Sequence, residues 1–268
     1  MKTTLDQLFK GYQNTPLLWN NKSAFDLPNF IIPKTDKTLG QNEAVKKQRL
    51  GHWVEDFAAY EMEGNEFTIK AKNLQILDEQ KTIGELDFLI LKNDQPIHIE
   101  VVYKFYLYDS FNKNSPSLAH WIGPNRKDEL LYKLDKLKKK QLPLLFHKAT
   151  QPYLRKLDLN SRNLQQFVHF KAQLFIPLTQ QIDLIKHVNK SCIQGCYIRY
   201  ESLKEFEHFH FYLPKKLEWL AKPYLDANWK TYDDSLSDIE YELNHQYSVL
   251  CWIRDAQNNL QKLFVTWW

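Results

Sequence analysis

The sequence predicts an α/β protein, a central mixed sheet flanked by helices and continued by an α+β C-terminal portion. Three observations carry this. The middle of the chain alternates between helical and extended patterns in the order helix, strands, helix, strand. Leu50, Val54, Phe57 and Ala58 recur at i, i+4, i+7 and i+8, which gives one apolar helical stripe. Two runs rich in apolar residues, Glu85 to Leu91 and Ile97 to Leu107, flank Asn93–Asp94 and read as a hairpin.

Composition sets the outer limits. The chain has 268 residues, 43% hydrophobic and 25% charged, which is globular rather than disordered. Only seven glycines occur, and neither GxGxxG nor GxxxxGK[ST] is present, so Gly-rich phosphate loops are not expected. A net charge of +4 permits a nucleic-acid partner without requiring one. Met1 to Lys10 lack an apolar leader core, and no run approaches the roughly 18 to 20 apolar residues of a membrane span. An odd set of three cysteines suits a reduced, cytoplasmic setting, with no membrane partner.

The elements follow in order. Residues 1–40, with Pro16, Pro28 and Pro33, read as a short helix and an irregular arm. Residues 41–180 form the core. It starts with a helix over 43–62, then short strands at Phe67 to Lys70 and Leu74 to Leu77, then the central hairpin. A second helix over Arg126 to Lys140 ends before Pro143, and Ala172 to Ile176 is short enough for a buried strand. Residues 181–268 are the extension. It carries Gly195 to Ile198, Phe209 to Leu213, a helix near 234–246, and a closing hairpin of Ser248 to Arg254 with Lys262 to Trp268.

The hairpin holds the chemistry. In Ile97 to Leu107 the odd positions are all apolar or aromatic and face a core, while the even positions carry His98, Glu100 and Lys104. On the preceding strand Glu85 and Asp87 share the odd face. A two-residue turn at Asn93–Asp94 pairs Lys92 with Gln95, and therefore Asp87 with Glu100. Opposed side chains stand about 4.5 to 5.5 Å apart at Cβ, so two carboxylates there repel unless a cation intervenes. Mg²⁺, with Mn²⁺ as a substitute, is the cation that two carboxylates suit. The competing reading is a solvated acidic face, which the flanking apolar runs disfavour because carboxylates on central strands need partners.

The order Gly51–x–x–x–Glu55, Gly84–Glu85–Leu86–Asp87 and Glu100–Val101–Val102–Tyr103–Lys104 resembles the PD-(D/E)XK nuclease superfamily. The longer string, with Trp121–Ile122–Gly123–Pro124–Asn125 and Asp128, also resembles a bacterial family catalogued as a domain of unknown function and grouped with these nucleases on sequence grounds. This second likeness spans most of the chain, whereas the nuclease-like motifs span residues 50–141. The resemblance implies a PD-(D/E)XK-type core for residues 41–180. It implies Glu55 as the helical acid, Asp87 and Glu100 as metal ligands, and Lys104 as the lysine that positions or activates water. Glu85 and Gln141 would support these from behind. The implied activity is Mg²⁺-dependent hydrolysis of phosphodiester bonds in DNA or RNA. The motif lysine belongs two residues after the acid, where this chain has Val102. Lys104 shares the face but lies about 6.6 Å further along. A long side chain or a bulge would close that gap; with neither, the site would bind metal without cutting.

Arg126 to Lys140 carries seven basic and three acidic residues. Lys133, Lys136 and Lys140 fall at i, i+3 and i+7 and would share a face able to neutralise phosphates, with Arg126 beside them. Trp121 stands near the expected mouth, where it could stack on a base. The alternatives are a solvated basic face and a packed tryptophan. Cys192–x3–Cys196 with His187 has no second paired motif, so zinc is not expected. Two functions outside catalysis stay open: a nucleic-acid-binding module on the same fold, and an interaction protein with a vestigial acidic cluster.

Overall fold

A computed structural model describes residues 3–20, 26–39, 48–110, 117–180 and 185–268. The first helix, α1 (Leu5–Asn14), starts at a capping box: Thr4 accepts from the Gln7 N–H while the Gln7 side chain accepts from the Thr4 N–H. Leu5, Leu8, Phe9 and Tyr12 are its buried stripe. The chain then crosses the sheet as an irregular arm, bridged to it at Leu17–Lys171 and Asn29–Val168. The second helix, α2 (Leu50–Gly64), buries Trp53, Val54, Phe57, Ala58 and Met62. The expected helical start at residues 43–47 lies outside the described residues.

Where two short strands were expected, there is one strand, β1 (Thr68–Asp78), with register shifts that hide it from a period-two reading. It pairs antiparallel with β2 (Lys81–Lys92), which pairs antiparallel with β3 (Gln95–Tyr108). The β2–β3 turn is the expected one. Asn93 and Asp94 have φ of 48° and 61°, the left-handed pair a two-residue hairpin turn requires, and Lys92 faces Gln95. A short strand, β4 (Trp121–Ile122), adds to the end of β3.

The second helix of the core is shorter than expected. A turn and bends occupy residues 124–127, helix α3 spans Leu130–Lys136, and Leu137–Gln141 continues it as a π-helical turn. A 3₁₀ turn carrying Pro143 and a short helix, α4 (Gln151–Lys156), lead to β5 (Gln165–Pro177). This strand runs parallel to β3 and is buried from Val168 to Ile176 because it is covered on both faces, with His169, Lys171 and Gln173 buried among its apolar residues.

The C-terminal portion does not form a separate layer. β6 (Ile193–Arg199) pairs parallel with β5, and β9 (Leu260–Thr266) pairs parallel with β6. β8 (Val249–Arg254) and β7 (His210–Tyr212) close that side, with α5 (Tyr232–Asn244) packed on them. Among the described residues nine strands make one mixed sheet, in the order β1-β2-β3-β5-β6-β9-β8-β7 with β4 beside β3. Helices α1 and α2 cover one face of β3, over Ile97, Ile99, Val101, Phe105 and Leu107, while α3 packs on Val102 and Tyr106 of the other. The even face of β3 is therefore covered as fully as the odd one. No described helix is long and apolar enough to cross a membrane.

One close approach ties the two ends of the chain together. A Cβ at Gly11 would stand 2.1 Å from the Leu220 carbonyl oxygen, so α1 can lie on that segment only without a side chain there. Gly11→Ala should destabilise the protein by about 1–3 kcal/mol through forced separation of the two segments. Gly51→Ala, with nothing within 4 Å, is the control and should leave the melting temperature unchanged or slightly raised. Paired thermal melts check this; equal melting temperatures for the two variants would show that the contact yields freely.

Candidate active site at the fork of the central strands

The β2–β3 ladder ends at Phe88–Ile99. Asp87 and Glu100 are the next facing residues, as the hairpin register requires. Beyond them β2 stays with β1 and β3 stays with β5, so the two strands part at this pair of acids. Such a fork leaves backbone groups without their sheet partners, and the two acids supply replacements. Asp87 Oδ2 accepts the Val101 N–H at 2.9 Å, and the Asp87 backbone N–H favours the charged form of the Glu100 carboxylate.

Glu100 is fully buried. Its Oε1 lies 3.0 Å from His98 Nε2, and its Oε2 accepts from the Gln141 amide. The ring can be assigned from its other side. Gln166 Nε2, 2.9 Å from His98 Nδ1, is a donor only, so Nδ1 accepts and the proton sits on Nε2, aimed at Glu100. Burial holds His98 neutral, down to about 4, so this contact is a hydrogen bond rather than an ion pair.

The two acids share a strained electrostatic state. Burial, and then the neighbouring Glu100, push Asp87 well above the usual carboxylate range, and Glu55 adds to this. Burial also pushes Glu100 up to about 7, with Glu85 contributing in the same direction and Lys133 opposing it. Glu55 approaches from α2, where Asn73 donates to its Oε2 at 2.7 Å and His52 lies at 3.2 Å.

The lysines are arranged differently from the sequence expectation. Lys104 turns to Asp128, 2.6 Å away, rather than to the acids. The ammonium that favours the charged form of both acids is Lys133, from α3. Burial lowers its proton affinity while Glu100 and Asp87 raise it. Lys133 also donates to Gln141 Oε1 at 2.7 Å, so Gln141 links Lys133 to Glu100. Sequence spacing missed this because a regular α-helix would put the eighth residue along about 80° round the axis. The wider π turn over Leu137–Gln141 brings Gln141 back into line with Lys133.

Lys133, Lys136 and Lys140 consequently share no basic face: Lys136 and Lys140 are exposed, whereas Lys133 is half-buried and turned inward. Trp121 is fully buried against Tyr108 and offers no ring face to a base, because β4 pairing places it under the arm rather than at the mouth. Arg126 pairs with Asp109 at 3.0 Å and lies 4.5 Å over the Trp268 ring, away from the acids.

A cleft of about 410 Å³ opens beside the fork. Lys104, Lys127, Lys133 and Lys216 line it, together with Asp128, Val101 and Gly123. Asp87, Glu100 and Glu55 are outside its lining, and Val101 and Lys133 connect them to it. Lys216 comes from the C-terminal region, with no motif to mark it. Its Nζ sits 3.3 Å over the Trp219 ring and 5.3 Å over that of Phe105, and burial, with Lys104 nearby, lowers it to about 7.

Among the described residues no three His, Cys, Asp or Glu side chains are gathered closely enough to hold a metal ion by themselves. The donor set that fits a cation is the Asp87–Glu100 pair. Its mutual repulsion is what a cation relieves, and Mg²⁺ commonly takes only one or two carboxylates, completing its shell with water and substrate phosphate.

The family described as Domain of unknown function (DUF1853) matches residues 24–262. No curated protein and no solved structure matches the chain.

Proposed function

The chain belongs to the DUF1853 family, and we propose that it is a Mg²⁺-dependent phosphodiesterase acting on nucleic acid, built on a PD-(D/E)XK-type core. One observation carries the reading. Two carboxylates are forced together at a strand fork, both held in an elevated protonation range, beside a cleft lined with lysines. A structural pair has no use for that repulsion, whereas a cation site does.

Asp87 and Glu100 would hold Mg²⁺, or Mn²⁺ in its place. The bound ion would supply offsetting charge for a pentacovalent phosphate and a more acidic water. His98 and Gln141 fix the Glu100 carboxylate from two sides, and the Val101 N–H fixes that of Asp87. Lys104 and Lys216, on the cleft wall, would bind the phosphodiester. Lys133 would serve as the lysine of the site, able to pass a proton because burial has brought its affinity down. Glu55 would add negative charge that tightens cation binding.

A binding module without catalysis is favoured by the Lys104–Asp128 pair, which takes the motif lysine away from the acids. Incubation of single-stranded and duplex oligonucleotides with Mg²⁺, Mn²⁺ or EDTA decides between them. Products that form only with metal are expected. Salt-sensitive binding with no product under any condition would transfer the reading to the binding module.

A further inference from the structure

A second cleft, of about 570 Å³, adjoins the first and shares Asn125 and Lys216 with it. The shared wall is braced: the Ser248 N–H donates to Asn125 Oδ1 at 3.0 Å, and Ser248 Oγ donates to the Pro124 carbonyl at 2.5 Å. The two clefts differ in chemistry. The first presents ammonium groups. The second is lined by Leu213, Trp219, Tyr247 and Leu250, with Asp238 and Glu242 balanced on its wall by Lys215 and the shared Lys216. Asp238 is paired with Lys230 at 2.5 Å. A largely apolar wall whose charges balance suits the neutral, flat part of a nucleotide better than a second phosphate. Tyr247 is 46% exposed, and Lys127 of the first cleft lies 5.7 Å from its ring centroid. The volume falls within the range for small organic ligands, about 300–1,000 Å³.

We propose that the second cleft is a nucleobase subsite. A strand whose phosphate lies over Lys104 and Lys216 turns the adjacent unpaired base into it, against the exposed Tyr247 ring. A base inside a duplex is stacked on both sides and cannot enter, so the site takes single strands or unpaired ends. This inference rests on the phosphodiester reading of the first cleft.

Fluorescence anisotropy with labelled dT12 and a blunt 12-base-pair duplex, both in EDTA, tests it without cleavage. The protein should bind dT12 more tightly than the duplex. Tyr247→Ala should weaken dT12 binding about tenfold and leave duplex binding unchanged, and Tyr247→Phe should retain the parent affinity. The exposed ring can be removed without emptying a core, and melts of each variant verify this. Parent-like dT12 affinity in Tyr247→Ala, or equal losses on both probes, overturns the subsite alone. No binding of either probe by the parent overturns the subsite together with the phosphodiester reading. Binding of dT12 that responds to Tyr247→Ala, with no metal-dependent cleavage, upholds the subsite and removes only catalysis.

Discussion

Asp87→Asn is expected to abolish metal-dependent cleavage while leaving the metal-free protein as stable as the parent or more so. Asn keeps the shape and can still accept the Val101 N–H, so the fork should stay closed. It removes a full charge, so a cation should bind far less well, and it relieves Glu100 of a like-charged neighbour. The sign of the pH effect follows. Asp87 and Glu100 both titrate higher in the folded protein than in the unfolded chain, Glu100 at about 7. Their contribution to stability is therefore complete below the unfolded carboxylate range of about 4, and it is lost as pH rises toward and through 7. The loss should be on the order of 1–3 kcal/mol. Mg²⁺ should restore part of it at pH 8 and little at pH 5, where Glu100 is protonated. In Asp87→Asn both the pH-dependent loss and the Mg²⁺ gain should shrink. Thermal melts at pH 5 and pH 8, with Mg²⁺ or EDTA, measure all four quantities. A mutant that melts lower than the parent in EDTA at pH 8, or a parent that gains nothing from Mg²⁺, would end the metal-site reading of Asp87.

Lys133→Met should be the second severe change, and it separates the two candidate lysines. Lys133 favours charging of both acids, so its removal should raise their protonation range further and lower stability at neutral pH. It also takes a donor from Gln141, which orients Glu100. The turnover rate should fall at least about a hundredfold, the lower end for loss of a proton-transfer group. Lys104→Met, which breaks only a part-exposed pair with Asp128, should act mainly on KM through lost phosphate binding. Comparison of kcat and KM for the two variants settles the assignment. A collapse of kcat in Lys104→Met with a near-normal Lys133→Met would return the site lysine to β3.

The sequence by itself determined the features set by a regular local pattern. Asn93–Asp94 could adopt left-handed backbone and so fixed a two-residue turn, and that turn alone set the register that brings Asp87 opposite Glu100. The buried stripe of α2 was equally legible, because periodicity is a local property, whereas Ala172 to Ile176 marked only the C-terminal part of β5. The tertiary structure decided where the long side chains point. Whether Lys104 reaches the acids depends on Asp128, 24 residues away, which holds it elsewhere. Gln141 meets Lys133 only because a π turn breaks the 3.6-residue period that spacing arguments assume. Trp121 is buried by a two-residue strand too short to leave a pattern, and Lys216 enters the cleft from beyond the core motifs altogether. A flexible ammonium takes its direction from whichever partner the fold delivers, and for Lys104 and Lys133 those partners are set by packing, which no local pattern encodes.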